Sequence, residues 1–328
     1  MFYMTAVVSY TLTVSERILL SMLSFILAKK IFSMLLMVLC GAIMVKAGVV
    51  SSKDSKVLSV LMLYLVMPLG IFSPFLVENT AAVRRGILLT VVVSVFIHIG
   101  MILLVTLLSK PFHLKPTDRN SVIFSNSGNL LLPLISSVLG DEWEIYTIGF
   151  IMVQVFFVWT YGIMVMSGER KINWRKILIN PNFISIYIGL FFFFTGMRFP
   201  APVQDAVSSV GSMIGPMAML GVGMLLPSVK WKLLIREKRS WIVIGLRLII
   251  VPLLCILVCK ALHVADLVEN GEMILLVTLM AAMAPVAATV TQLAQVYDQD
   301  GDYAGAINVV TTLLCIITMP LMVAVYQL

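Results

Sequence analysis

Ser125-Asn126-Ser127-Gly128-Asn129-Leu130-Leu131-Leu132-Pro133-Leu134 starts polar, ends at a proline, and lies within an apolar run long enough to cross a membrane. A helix passes through such a segment only with difficulty. Pro133 lacks a backbone donor and clashes with the preceding turn, while Ser, Asn and Gly favour non-helical alternatives. Carbonyls freed in lipid meet no water, so the break must be buried in protein or open to a wet cavity. A second stretch, Ala281-Ala282-Met283-Ala284-Pro285-Val286-Ala287-Ala288-Thr289, puts Pro285 near the middle of its own apolar run, among residues small enough for close backbone approach. If the two breaks cross at mid-bilayer, the half-helices after each proline aim positive dipole ends at one point, which favours an anion. The plainer reading is that both prolines kink packed membrane helices, where proline is common.

The flanking sequence sets the class. Of 328 residues, 60% are hydrophobic and 12% charged, with a mean hydropathy of +1.05; a soluble domain carries about 25% charged residues. The charges cluster between apolar runs of about 20 residues, the length that crosses a hydrocarbon core about 30 Å thick. Ten spans are predicted, at residues 31–49, 57–76, 86–109, 120–139, 146–167, 183–199, 207–229, 241–263, 273–296 and 303–327. Residues 1–30 read as an N-terminal extension running into helix 1, cut by Glu16, Arg17, Lys29 and Lys30 into pieces too short to span. They lack the basic start and small-residue cleavage site of a signal peptide.

Counted loop by loop, fifteen Lys and Arg fall on one side of the spans and seven on the other, with Arg247 inside the eighth. The positive-inside rule places the basic side in the cytoplasm and both termini outside, in the inner or plasma membrane. Asp141, Glu142 and Glu144 then face outward, as do Asp266, Glu269 and Glu272. The net charge of +7 has this origin, and nucleic acid is not an expected partner.

Gly41, Pro68 and Pro133 recur as Gly189, Pro216 and Pro285 at offsets of 148, 148 and 152 residues, and His98 and Arg247 are 149 apart. Residues 31–167 and 183–328 thus read as two repeats, joined by a short cytoplasmic connection at 168–182 and meeting near Asn173. Five spans per half make the second cross in the opposite sense, an inverted repeat.

Asn126 to Leu134, Asn180-Pro181-Asn182 with Gly189, Gly215-Pro216-Met217-Ala218-Met219-Leu220-Gly221-Val222-Gly223-Met224-Leu225, and Arg247 ahead of Pro252 together resemble the auxin efflux carrier family from about Met22 onward. The short 168–182 connection resembles the bacterial type, related to the plant PIN-FORMED auxin carriers but without their long central loop. The resemblance implies an all-α integral membrane fold of the kind shared with bile acid/sodium symporters and NhaA, in which broken helices 4 and 9 cross. It implies a scaffold of helices 1, 2, 6 and 7, a transport domain of helices 3–5 and 8–10, a homodimer, and elevator-type transport. The implied cargo is a small organic anion, a mono- or dicarboxylate such as malate, malonate or an auxin-like acid. In the plant carriers an asparagine ahead of the helix 4 proline binds the substrate carboxylate; the matching residue is Asn126, with Asn129 a second candidate. The candidate site is therefore Asn126, Ser127, Gly128, Asn129, Pro133, Ala284, Pro285 and Thr289. A sensor or channel on a transporter fold, and a sodium-coupled symporter of a larger organic anion, are open alternatives; protons and sodium are both candidate coupling ions.

Arg247 is expensive in lipid and marks a pathway or a buried partner, unless it snorkels from about 10 Å below Ser240. It is read here as support for the crossover. His98 is read as bonded to a neighbouring helix in preference to a proton relay. Cys40, Cys255, Cys259 and Cys315 read as apolar packers, the 22 Met as adaptable packing, and Asp298-Gln299-Asp300-Gly301-Asp302 as an acidic turn, so no metal or cofactor is expected. All 16 Asp and Glu fall in loops or at helix ends, without the paired carboxylates, His-Glu-x-x-His run or Ser-His register that an intramembrane hydrolase needs, and an enzyme is not expected.

Overall fold

The computed structural model describes residues 2–169 and 174–328, with side chains described from Leu23 onward except at 176, 232, 233 and 235. Among these residues every regular element is helical. The chain runs through α1 (Phe2–Lys46), α2 (Ser52–Leu76), α3 (Ala81–Ser109), α4a (Pro116–Ile123), α4b (Ser127–Leu139), α5 (Asp141–Ser167) and α6 (Pro181–Thr195). It continues through α7 (Ala201–Ser228), α8 (Lys238–Ala261), α9a (Gly271–Met283), α9b (Ala288–Val296) and α10 (Gly301–Gln327). Seven stretches are long and apolar enough to cross a membrane: Leu23–Lys46 of α1, and α2, α3, α5, α7, α8 and α10. The apolar helices α4b, α6 and α9a are shorter. Asn173, the expected meeting point of the halves, lies outside the described residues.

The N-terminal extension and the first span form one helix. From Phe2, α1 continues through Lys29 and Lys30 to Lys46, and among the residues with described side chains Leu23–Lys46 is long and apolar enough to cross a membrane. Two lysines do not interrupt it, because long side chains carry their charge off the helix. The Lys29 ammonium lies 4.5 Å above the Phe25 ring, and Lys30 reaches a cavity.

Pro133 also behaves differently from expectation. Pro68, Pro133 and Pro252 each stand two residues after a π-helical turn, at Met62–Val66, Ser127–Leu131 and Leu246–Ile250. A wider turn takes up the missing donor and the ring clash without ending the helix. The chain breaks instead at Phe124–Asn126, upstream of Pro133, whereas Pro285 lies within its break.

Glycines let α7 approach α1 and α2 backbone to backbone, and let α6 close on a ring of α2. A Cβ on Gly41 would stand 2.4 Å from the Leu220 carbonyl oxygen, and one on Gly223 would stand 2.0 Å from that of Val38, so α1 and α7 admit no side chain between them. At Gly211 a Cβ would meet the Gly70 Cα at 3.0 Å, and at Gly189 it would meet the Phe75 ring at 2.1 Å. Without a hydrophobic drive between helices in lipid, such contact is the main source of association. Gly223→Val should therefore lower the thermal midpoint and the monodisperse yield in detergent, at a cost of about 1–3 kcal/mol or more. Gly100→Ala, where a Cβ meets nothing within 4 Å, should leave both unchanged. Equal behaviour of the two variants would show that the α1–α7 seat does not hold the fold.

Candidate functional site

The two breaks bind each other. The Asn126 N–H donates to the Pro285 carbonyl at 2.8 Å, and the Ala287 N–H donates to the Phe124 carbonyl at 3.0 Å. Ser125 and Val286 face one another as an isolated antiparallel bridge. They lie 161 residues apart, so Pro133 and Pro285, separated by 152, are not equivalent positions at the crossing.

In this pairing the N–H and C=O of Ser125 and Val286 point outward, and side chains take them. Gln154 of α5 accepts from the Ser125 N–H at 2.9 Å and the Ser125 hydroxyl at 2.7 Å, and its Nε2 donates to the Ser125 carbonyl at 2.9 Å. On α10, Thr311 accepts from the Val286 N–H at 3.2 Å, and the Asn308 amide donates to the Val286 carbonyl. The sequence reading missed these three residues. Their signal was a polar side chain in an otherwise apolar span, but which backbone group each one serves depends on the crossing.

Arg247 serves the remaining carbonyls. Fully buried, it donates to Ala284 from Nε at 2.9 Å and Nη2 at 2.7 Å, to Ala282 from Nη2 at 2.9 Å, and from Nη1 to Val122 at 3.1 Å and Ile123 at 3.4 Å. The guanidinium thus caps the negative ends of α4a and α9a together, and it does not snorkel. His98 is buried against the same crossing, with its ring 5.3 Å from Phe157 and 6.5 Å from Phe124. Its Nδ1 contacts the Ser94 carbonyl at 2.8 Å, within α3, and its buried Nε2 has no partner, so among the described residues the expected bond to a neighbouring helix is not made.

The arrangement sorts the candidate residues. The Ala284 and Pro285 carbonyls are committed, to Arg247 and to Asn126. Ser127 accepts from Gln154 Nε2 at 3.2 Å. The first helical bonds of the second half-helices begin at Leu130 and Val290, so the amides open to a ligand belong to Ser127, Gly128, Asn129, Ala288 and Thr289. They follow Asn126 and Ala287, not the prolines. The Asn126 side chain is 3% exposed and makes no hydrogen bond among the described residues; the Asn129 Oδ1 and Thr291 Oγ1 are buried without partners. Gly128 faces Met67, whose Cε would lie 2.9 Å from an added Cβ, and Pro133 packs on Gly215. Pro133 lines a cavity of about 760 Å³ between α1, α2, α4b and α7, which the asparagines do not line.

At the start of α4a, Asp118 is fully buried and pairs with Arg239 at 3.1 Å. The expectation that the acidic residues stand at helix ends holds for Asp118, but this end is inside the protein.

Arg247→Met would strip the donors from buried carbonyls at two helix ends, and a loss above about 3 kcal/mol is expected. The melting temperature and detergent-stable yield should fall well below those of Lys53→Met, an exposed control. Indistinguishable melting curves would remove Arg247 from its capping role.

Comparison with curated proteins gives no match. The sequence profile of a family described as membrane transport protein matches residues 26–323, nearly the whole helical chain and both crossing breaks. Together with its many apolar helices, that match makes the chain a multi-pass membrane protein belonging to the membrane transport protein family, the domain family of the auxin efflux carriers.

Proposed function

We propose that this family member is a secondary transporter of a small organic anion, a mono- or dicarboxylate of the size of malate, malonate or an auxin-like acid. The observation that carries the reading is the crossing, where two half-helix starts, α4b and α9b, present open amides beside the unpartnered side chain of Asn126. Half-helix starts favour negative charge. Arg247 is fully engaged with carbonyls, so the donors left for a ligand are neutral. Neutral donors hold an anion weakly enough to release it on the other side.

Counting α4a with α4b and α9a with α9b as one broken span each, and α6 as a short span, completes ten spans in two five-helix halves. The antiparallel sense of the Ser125–Val286 bridge is what halves of opposite direction require. Helices α1, α2, α6 and α7, seated on one another by glycines, serve as scaffold, while α3–α5 and α8–α10, tied through the crossing, move as the transport domain. The faces between the two groups carry Gly128, Pro133 and Gly215, small and rigid residues suited to sliding. The protein sits in the cell membrane as a homodimer with both termini outside.

Asn126→Ala removes a hydrogen bond to a charged ligand, a loss of about 1.5–3 kcal/mol or roughly 10- to 150-fold in affinity. Flux of radiolabelled malate, malonate and an aryl acetate into proteoliposomes, measured for wild type, Asn126→Ala and Asn129→Ala at matched reconstitution, checks this. Unchanged flux in both variants would place the site elsewhere.

A further inference from the structure

The cavity of about 760 Å³ that reaches Pro133 has four ionisable side chains in its lining: Lys30 of α1, and Asp141, Glu142 and Glu144 from the first turns of α5. Among the described residues Lys30 has no ion-pair or hydrogen-bond partner, although the three carboxylates line the same space. Asp141 is engaged by the Ser136 hydroxyl. Lys30 is half-buried, and the cavity it lines is otherwise without a basic side chain.

We propose that Lys30 is a specificity-determining residue that takes a carboxylate of the transported anion in this cavity, which reaches Pro133 of α4b; the proposal rests on the anion-carrier reading above. The crossing itself cannot supply a free cation, because the Arg247 guanidinium is spent on the carbonyls of α4a and α9a. Lys30 is the one basic side chain in the lining, beside Asp141, Glu142 and Glu144, and so the group there that can attract an anion. The position is also a fixed one. Lys30 stands on α1, which Gly41 and Gly223 press against α7, whereas Pro133 stands on α4b across the cavity. A carboxylate at Lys30 is therefore held on the proposed scaffold beside the half-helix that carries Asn126 and Asn129.

Two measurements test the proposal. In proteoliposomes, Lys30→Met should raise the half-saturation concentration for labelled malonate by about 10-fold or more with a smaller change in maximal rate. Lys30→Arg should restore much of the loss, and the difference between wild type and Lys30→Met should shrink at high salt. With the wild-type protein, acetylation of Lys30 by acetic anhydride, followed by mass spectrometry, should slow when malonate is present, with exposed Lys29 as the internal control. This second readout does not depend on the variant folding. If wild type carries no carboxylate, the anion-carrier reading falls and this proposal with it. If wild type carries malonate and Asn126→Ala loses it, while Lys30→Met keeps the wild-type half-saturation or malonate leaves Lys30 acetylation unchanged, the Lys30 proposal alone is overturned.

Discussion

Two chain segments cross inside this protein with no helix around them, and lipid offers nothing to their peptide groups. Most peptide groups of residues 124–126 and 284–287 therefore have an assigned partner. The Ser125–Val286 bridge satisfies the inward amides and carbonyls, Gln154 takes the outward pair on one side, and Asn308 and Thr311 take the pair on the other. Arg247 closes the two preceding helix ends. A buried peptide group left unmatched costs about 1–3 kcal/mol, so losing any one of these side chains is felt as a defect of the whole crossing. Three helices that are far apart in sequence, α5, α8 and α10, are in this way tied to one point.

The same constraint separates the protein into two kinds of packing. Around the crossing, polar side chains hold the helices in place by directed bonds. Between α1 and α7, and between α2 and α7, glycine brings backbones into contact, and between α2 and α6 it seats the Phe75 ring on Gly189. Directed bonds fix register, while the contact of Pro133 with Gly215 between the two groups is apolar and shallow. Shape alone restrains that contact, while the Ser24 hydroxyl of α1 donates to Gln327 of α10 across the same division. A carrier that moves one group past the other would need its bonds and its smooth faces distributed like this.

Much of the fold is legible in the residue order because lipid reads hydropathy directly. Apolar runs become helices, and the polar stretch Ser125 to Asn129 and the run around Pro285 locate both breaks. What the sequence conceals is nonlocal or a matter of helix pitch. Pro133 looks like the breaking residue, yet the π turn at Ser127–Leu131 absorbs it, and nothing in hydropathy distinguishes a widened turn from a break. The equivalence of Pro133 and Pro285 fails for the same reason, since Ser125 and Val286 are the residues that meet. Lys29 and Lys30 look like interruptions because counting charges ignores where a long side chain leads; one lies over Phe25 and the other in the cavity. Arg247 was legible as a supporting residue from its cost in lipid, but its partners are carbonyls, which have no sequence signal at all.

Using the buried Arg247 guanidinium to cap helix ends also decides what kind of site is left. A free cation at the crossing would hold a carboxylate tightly: two unit charges 4 Å apart attract by about 4 kcal/mol at an effective dielectric of 20, enough to slow release by nearly three orders of magnitude. Five backbone amides and the Asn126 side chain carry no net charge, so the attraction they offer is short-ranged and directional. A ligand held in this way leaves as soon as the geometry of the half-helices changes. In the proposed carrier the cation that attracts the anion then belongs outside the crossing, on a wall that would stay put while the half-helices move. That separation of attraction from grip allows a binding site to serve as a transport site.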